Sequence, residues 1–121
     1  MAEGFSTAAA NSVLDAQVVA YPWFKLHVGA PGAAGTANAA TETTRKSPTF
    51  AAASGASKTT NADAVWTSVA GSEDYTHWSQ WSASSGGTFG GSGTITANAV
   101  TSGDTFTIPS GSLVLTLPVA S

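Results

Sequence analysis

The chain has 121 residues, no cysteine and a net charge of −3, and only 9% of its residues are charged, against roughly a quarter in an ordinary soluble domain. That length fits one domain with one hydrophobic core. Without cysteine there are no disulfides, thiolate metal sites or cysteine nucleophiles, and Lys25, Arg45, Lys46 and Lys58 are too few cations to engage nucleic acid.

The first segment, Phe5 to about Val19, reads as the chain's helix. Phe5, Ala9, Val13 and Ala16, with Ala8 and Ser12 beside them, follow the spacing of an apolar helical face. Tyr21-Pro22 ends it, because the residue before proline is pushed out of the α region. Residues 1–20 are thus expected to pack as a helical segment on the rest or on a neighbour, with residues 21–121 forming the β domain. The Met-Ala-Glu-Gly start has no basic region ahead of an apolar stretch, so no secretory signal is expected and the chain would fold in a cytoplasm. No segment approaches the ~20 apolar residues of a membrane span.

From Trp23 the period becomes two. Phe24, Leu26 and Val28 share one side, Lys25 and His27 the other. Residues 29–44 form a long run of Ala, Gly, Thr and Asn, the length of a binding loop or arm. Lys46 to Ala52 follows as a strand that Pro48 confines to an edge or a strand start. Ala64 to Val69 and the aromatic-rich Tyr75 to Ser82 are further strands. Ser84-Ser85-Gly86-Gly87 marks a turn. Thr88 to Thr96 is interrupted by Gly90, Gly91 and Gly93, which signals a bulge or a close backbone approach. Near the end, Thr105 to Ile108 and Leu113 to Leu117 alternate around Pro109-Ser110-Gly111 and read as a β-hairpin. The expected fold is mainly β: a single-domain antiparallel β-sandwich of about seven short strands with one N-terminal helix.

Chemistry is thinly represented. His27 and His77 are the only histidines, and with the seven acids they make no local metal spacing. Asp104, in Ser-Gly-Asp-Thr, suits a turn, and Glu73-Asp74 a strand start. Gly91-Ser92-Gly93 lacks the strand–turn–helix setting of a nucleophile, and residues 86–93 lack the helix and the lysine of a phosphate loop. No catalytic residue, metal or cofactor is expected. The aromatics are the exception. Tyr75, His77, Ser79 and Trp81 fall on one side of a strand, and Thr76, Trp78 and Gln80 on the other. Both sides carry an indole, so something must cover the outer one: the helix, a second subunit or a sugar ring. Tyr75, His77 and Trp81 are therefore the candidate glycan or partner contacts.

Two stretches carry a resemblance, Thr76-His77-Trp78-Ser79-Gln80-Trp81-Ser82-Ala83-Ser84-Ser85-Gly86-Gly87 and Ser102-Gly103-Asp104-Thr105-Phe106-Thr107-Ile108-Pro109-Ser110-Gly111-Ser112-Leu113. They resemble small structural proteins of actinobacterial phages and prophages usually labelled phage tail fibre or minor tail proteins. Leu14, Leu26-His27, the 31–44 run and Thr49-Phe50-Ala51-Ala52-Ala53 follow the same order, so the resemblance covers nearly the whole chain. It departs at Trp78 and Trp81, and at Ser82, where an Asp often stands. The resemblance implies a non-enzymatic virion protein, made in the host cytoplasm and associated with the tail. Its implied partners are other phage structural proteins and further copies of itself, and because virion parts assemble with rotational symmetry a homo-oligomer, a trimer first, is expected. Capsid decoration on the head exterior and recognition of a host surface glycan are the alternatives. The charge-poor surface agrees with repeated packing, since few long side chains lose entropy on contact.

Overall fold

The structure, a computed structural model, describes residues 4–96 and 99–117. Helix α1 spans Thr7–Ala20 and begins where the Ser6 hydroxyl accepts the Ala9 amide, 3.2 Å away. It closes at Tyr21, whose amide donates to the Gln17 carbonyl. Its buried residues are Ala10 and Leu14, while Phe5, Val13 and Val19 are exposed. The face expected from spacing is thus turned outward, and the docked face lies on the other side. Polar anchors decide this. Asn11 and Asp15 accept the amides of Ala56 and Ala53, both at 2.9 Å, and Gln17 donates to Gln80 and to the Gly90 carbonyl. Asp15 also pairs with Lys58, which is buried. Each of these bonds satisfies a strand-edge or interior group that would otherwise lose a partner.

Nine strands follow among the described residues: β1 Trp23–His27, β2 Ser57–Thr59, β3 Ala64–Trp66, β4 Glu73–Asp74, β5 His77–Trp81, β6 Phe89–Thr94, β7 Ala99–Val100, β8 Phe106–Ile108 and β9 Val114–Thr116. All pairings are antiparallel. A three-stranded sheet runs β1-β5-β6, and the rest pair as β4-β7, β3-β8 and β2-β9. Their registers form one series. His77 lies opposite Thr94, Glu73 opposite Val100, Ala64 opposite Ile108, and Ser57 opposite Thr116. Bonds between Thr76 and Ile95, Val69 and Asp104, and Thr60 and Leu113 bridge the gaps. The second half of the chain is therefore one long hairpin, residues 57–81 against 89–96 and 99–116, broken at corners and folded over a common core in a sandwich-like way. Its tip is the expected 84–87 turn.

This corrects the hairpin expected at the C-terminal end. Pro109-Ser110-Gly111 is a turn, but β8 and β9 do not pair with each other. The Gly111 amide donates to Thr60, and the Ser110 amide to Asp63, so the turn is a corner of the longer ribbon. The glycines of β6 answer to close approach. A Cβ at Gly93 would stand 2.4 Å from the Trp78 indole, and one at Gly90 2.2 Å from the Tyr21 ring. The ribbon also shifts register between Gln80 and Trp81.

The core is aromatic. Phe24 packs on Trp78 at 5.1 Å between ring centroids, and Tyr75 meets Phe106 edge-on at 4.8 Å. Leu14, Leu26, Val69, Ile108, Leu113 and Leu115 fill between them. The Tyr75 hydroxyl is buried with no hydrogen-bond partner among the described residues. Burial, with the carboxylates of Glu73 and Glu42, pushes its pKa up to about 12. An unpaired buried hydroxyl opposes folding by about 1–3 kcal/mol. Tyr75→Phe, which keeps the ring and removes the oxygen, is expected to leave stability unchanged or raise it by about 1 kcal/mol. Denaturant unfolding checks this, and a clear loss would mean that the hydroxyl is in fact paired.

Candidate functional site

The register of β1 and β5 sets two sides of the three-stranded sheet. Phe24, Leu26, Trp78 and Gln80 face α1 and the core. Lys25, His27, Ser79 and Trp81 share the other side. The 29–46 segment covers that second side. It is stitched to β1 through Val28 to Asn38, Ala40 to Leu26, and paired bonds between Lys46 and Phe24. What length alone suggested as an arm lies folded along the sheet.

Beneath it is a buried polar network. His27 Nδ1 lies 2.9 Å from the Ala37 carbonyl, which can only accept, so Nδ1 carries the proton. Nε2 then accepts from the Ser79 hydroxyl at 2.7 Å, and the same oxygen accepts the Trp81 indole N–H at 2.7 Å. A Ser–His contact of this kind has the form of a nucleophile and its base. Here both residues are fully buried, and the serine oxygen is held by the indole. The network ties the covering segment to the sheet. With both ring nitrogens engaged, His27 has no lone pair left for a metal, although it stands directly opposite His77. His77, half-buried, bonds the Thr76 hydroxyl through Nδ1. No group of three metal-binding side chains forms among the described residues.

The three candidate contact residues are not brought together on one open face. Tyr75 precedes β5 and lies in the core at 0% exposure. Trp81 is 8% exposed, with the Arg45 guanidinium 4.4 Å over its ring and Phe89 at 5.5 Å. Arg45 is fastened there by the carbonyls of Ala83 and Gly86. The outer indole is thus covered by the chain's own 29–46 segment. A sugar ring stacked on Trp81 would have to displace Arg45.

Burial holds His27 below the ordinary imidazole value, and the Lys25 charge adds to this, while the Ala37 carbonyl opposes it. The folded state therefore keeps the ring neutral at a pH where the unfolded chain, near 6.5, takes up a proton. Stability is full above about pH 6.5 and falls as pH drops below it, by at most about 1.4 kcal/mol per pH unit, until the folded ring also protonates. Denaturation between pH 5 and 8 is expected to show this decline, and His27→Gln to flatten it. A wild-type profile level through that window excludes the linkage.

Acidic side chains act as backbone anchors. Glu73 accepts the amides of Thr41 and Glu42 at 2.7 and 3.3 Å, and Glu42 accepts those of Thr44 and Ala70. Asp104 accepts the Thr101 amide within its turn. Sequence reading missed the His27–Ser79–Trp81 network, for which only strand register carries a signal. It also missed a cleft of about 480 Å3 between α1, β6 and β9.

These features describe a small mainly-β module that offers faces and strand edges for contact. The chain belongs to the phage fibre family described as podophage GP4 fiber I protein gp80, which matches it over residues 4–116. No curated protein matches it.

Proposed function

We propose that this protein is a non-enzymatic, tail-associated fibre module of a phage particle that works through contacts with other structural proteins and with its own copies. The family match over residues 4–116 carries this reading. The surface supports it. Val19 stands 80% exposed on α1, whose one charged residue, Asp15, turns inward to Lys58, and Phe5, just ahead of the helix, is 51% exposed. Burying a charge-free apolar face incurs little desolvation cost. Closed rotational symmetry makes a homo-oligomer the assembly to test, with a trimer as the expected state.

Immunogold labelling of purified particles is the deciding experiment. Label confined to the tail is expected. Label over the whole head would establish decoration instead, and particles without the chain would overturn both readings. Sedimentation of the isolated protein checks self-association, which a monomer at tens of micromolar would exclude.

A further inference from the structure

The cleft between β6 and β9 has walls made of strand edges. Phe24 exchanges backbone bonds with Lys46, so β1 bonds β5 through Trp23, Lys25 and His27. Trp78 and Gln80 then direct their backbone groups to Gly93 and Gly91 of β6. By the same alternation, the N–H and C=O groups of Ser92 and Thr94 point away from β5. On the opposite wall, the Thr60 amide donates to the Leu113 carbonyl and the Leu117 amide to the Ala56 carbonyl, so Val114 and Thr116 point away from β2. Among the described residues these four positions have no backbone partner, and β6 and β9 each end their sheets. The neighbouring Gly90 carbonyl, on the same outer edge, is already taken by a donor, the Gln17 amide at 2.9 Å.

We infer that this cleft accepts an extended segment of another polypeptide as an added strand. The chemistry of the walls selects that occupant. Unpaired donors and acceptors alternate on both sides at strand spacing, and only an extended backbone carries the complementary groups along both of its edges. Among the described residues no ionisable side chain lines the cleft, so the segment is uncharged. Leu14, Trp78, Leu115 and Leu117 line the cleft, so alternate residues of the segment are apolar and face inward. A second copy is a poor donor, because each of the nine strands among its described residues already pairs within its own chain. Once bound, the segment joins β1-β5-β6 to β9-β2 in one continuous sheet. The inference rests on the assembly role proposed above and supplies its partner chemistry.

The test uses the purified protein with uncharged heptapeptides that alternate Thr or Ser with Val or Ile, read by fluorescence anisotropy and amide hydrogen exchange. Saturable binding is expected, with at least tenfold slower exchange at Ser92, Thr94, Val114 and Thr116. The same peptides N-methylated at alternate residues lose a row of donors and are expected not to bind. Ser92→Pro removes an outward N–H without removing a ladder bond, and is expected to abolish binding. Should that variant fail to fold, the N-methylated peptides still decide. Protection elsewhere, equal binding of the N-methylated peptides, or no binding across the set overturns the inference. So does peptide-free protection of the four amides that grows with protein concentration, which would make a second copy the occupant. None of these results bears on whether the chain is found on the tail.

Discussion

Replacing Gly35 with alanine is expected to destabilise the fold by about 2–5 kcal/mol, from two separate causes. Gly35 has a φ of +75°, a left-handed conformation that costs an L-residue roughly 1–2 kcal/mol. A Cβ there would also stand 2.3 Å from the Phe89 ring, which has closed onto the bare backbone. Phe89 cannot move without disturbing its contact with Trp81, so overpacking adds about 1–3 kcal/mol. Gly32 provides the control. Its φ is +77°, yet the nearest atom to a new Cβ is the Ala37 methyl at 3.7 Å. Gly32→Ala should therefore show the backbone cost alone. Guanidinium unfolding of the two variants separates the terms, and equal losses would show that Phe89 moves aside freely. The 29–46 segment holds its place by such contacts as well as by backbone bonds.

Much of the β architecture is legible from alternation and turn chemistry. Phe24 and Leu26 against Lys25 and His27, the 84–87 turn, and the close approaches at Gly90 and Gly93 all leave local marks. Pairing partners do not. Pro109-Ser110-Gly111 between two alternating runs is the pattern of a hairpin, but Thr60 and Asp63, some fifty residues earlier, take the turn's amides and send each arm to a different strand. The helix shows a second limit. Its apolar positions suit several faces, because alanine is compatible with burial and with exposure alike. Asn11, Asp15 and Gln17 fix the rotation, and polar residues read from sequence as the solvent side. Here they meet amides and a carbonyl that no strand partner satisfies.

The candidate site was legible only as a question. Two indoles at Trp78 and Trp81 require cover on both sides of a strand, and the sequence does not say which segment supplies it. The answer depends on a low-complexity run of Ala, Gly and Thr whose side chains carry almost no periodic signal. Its backbone bonds to Leu26 and Val28, with Arg45 placed over Trp81, do what a second subunit or a ligand would otherwise do. The cleft is less visible still. Which edge of a strand is left unpaired follows from register, and register is a property of the assembled ribbon rather than of any segment.

The network beneath the covering segment yields the other large effect. Ser79→Ala removes one oxygen that serves two buried groups, the Trp81 indole N–H and His27 Nε2. Each of the two groups left unpaired costs about 1–3 kcal/mol, and the change in volume is small, so a loss of about 2–6 kcal/mol is expected. Denaturant unfolding measures it, and a double-mutant cycle shows its origin. Trp81→Phe removes the indole N–H together with its need for a partner. In that background Ser79→Ala strands only the histidine, so its cost should drop by about half. If the two changes are instead additive, Ser79 and Trp81 do not share the bond, and the network is not what fastens the covering segment to β5.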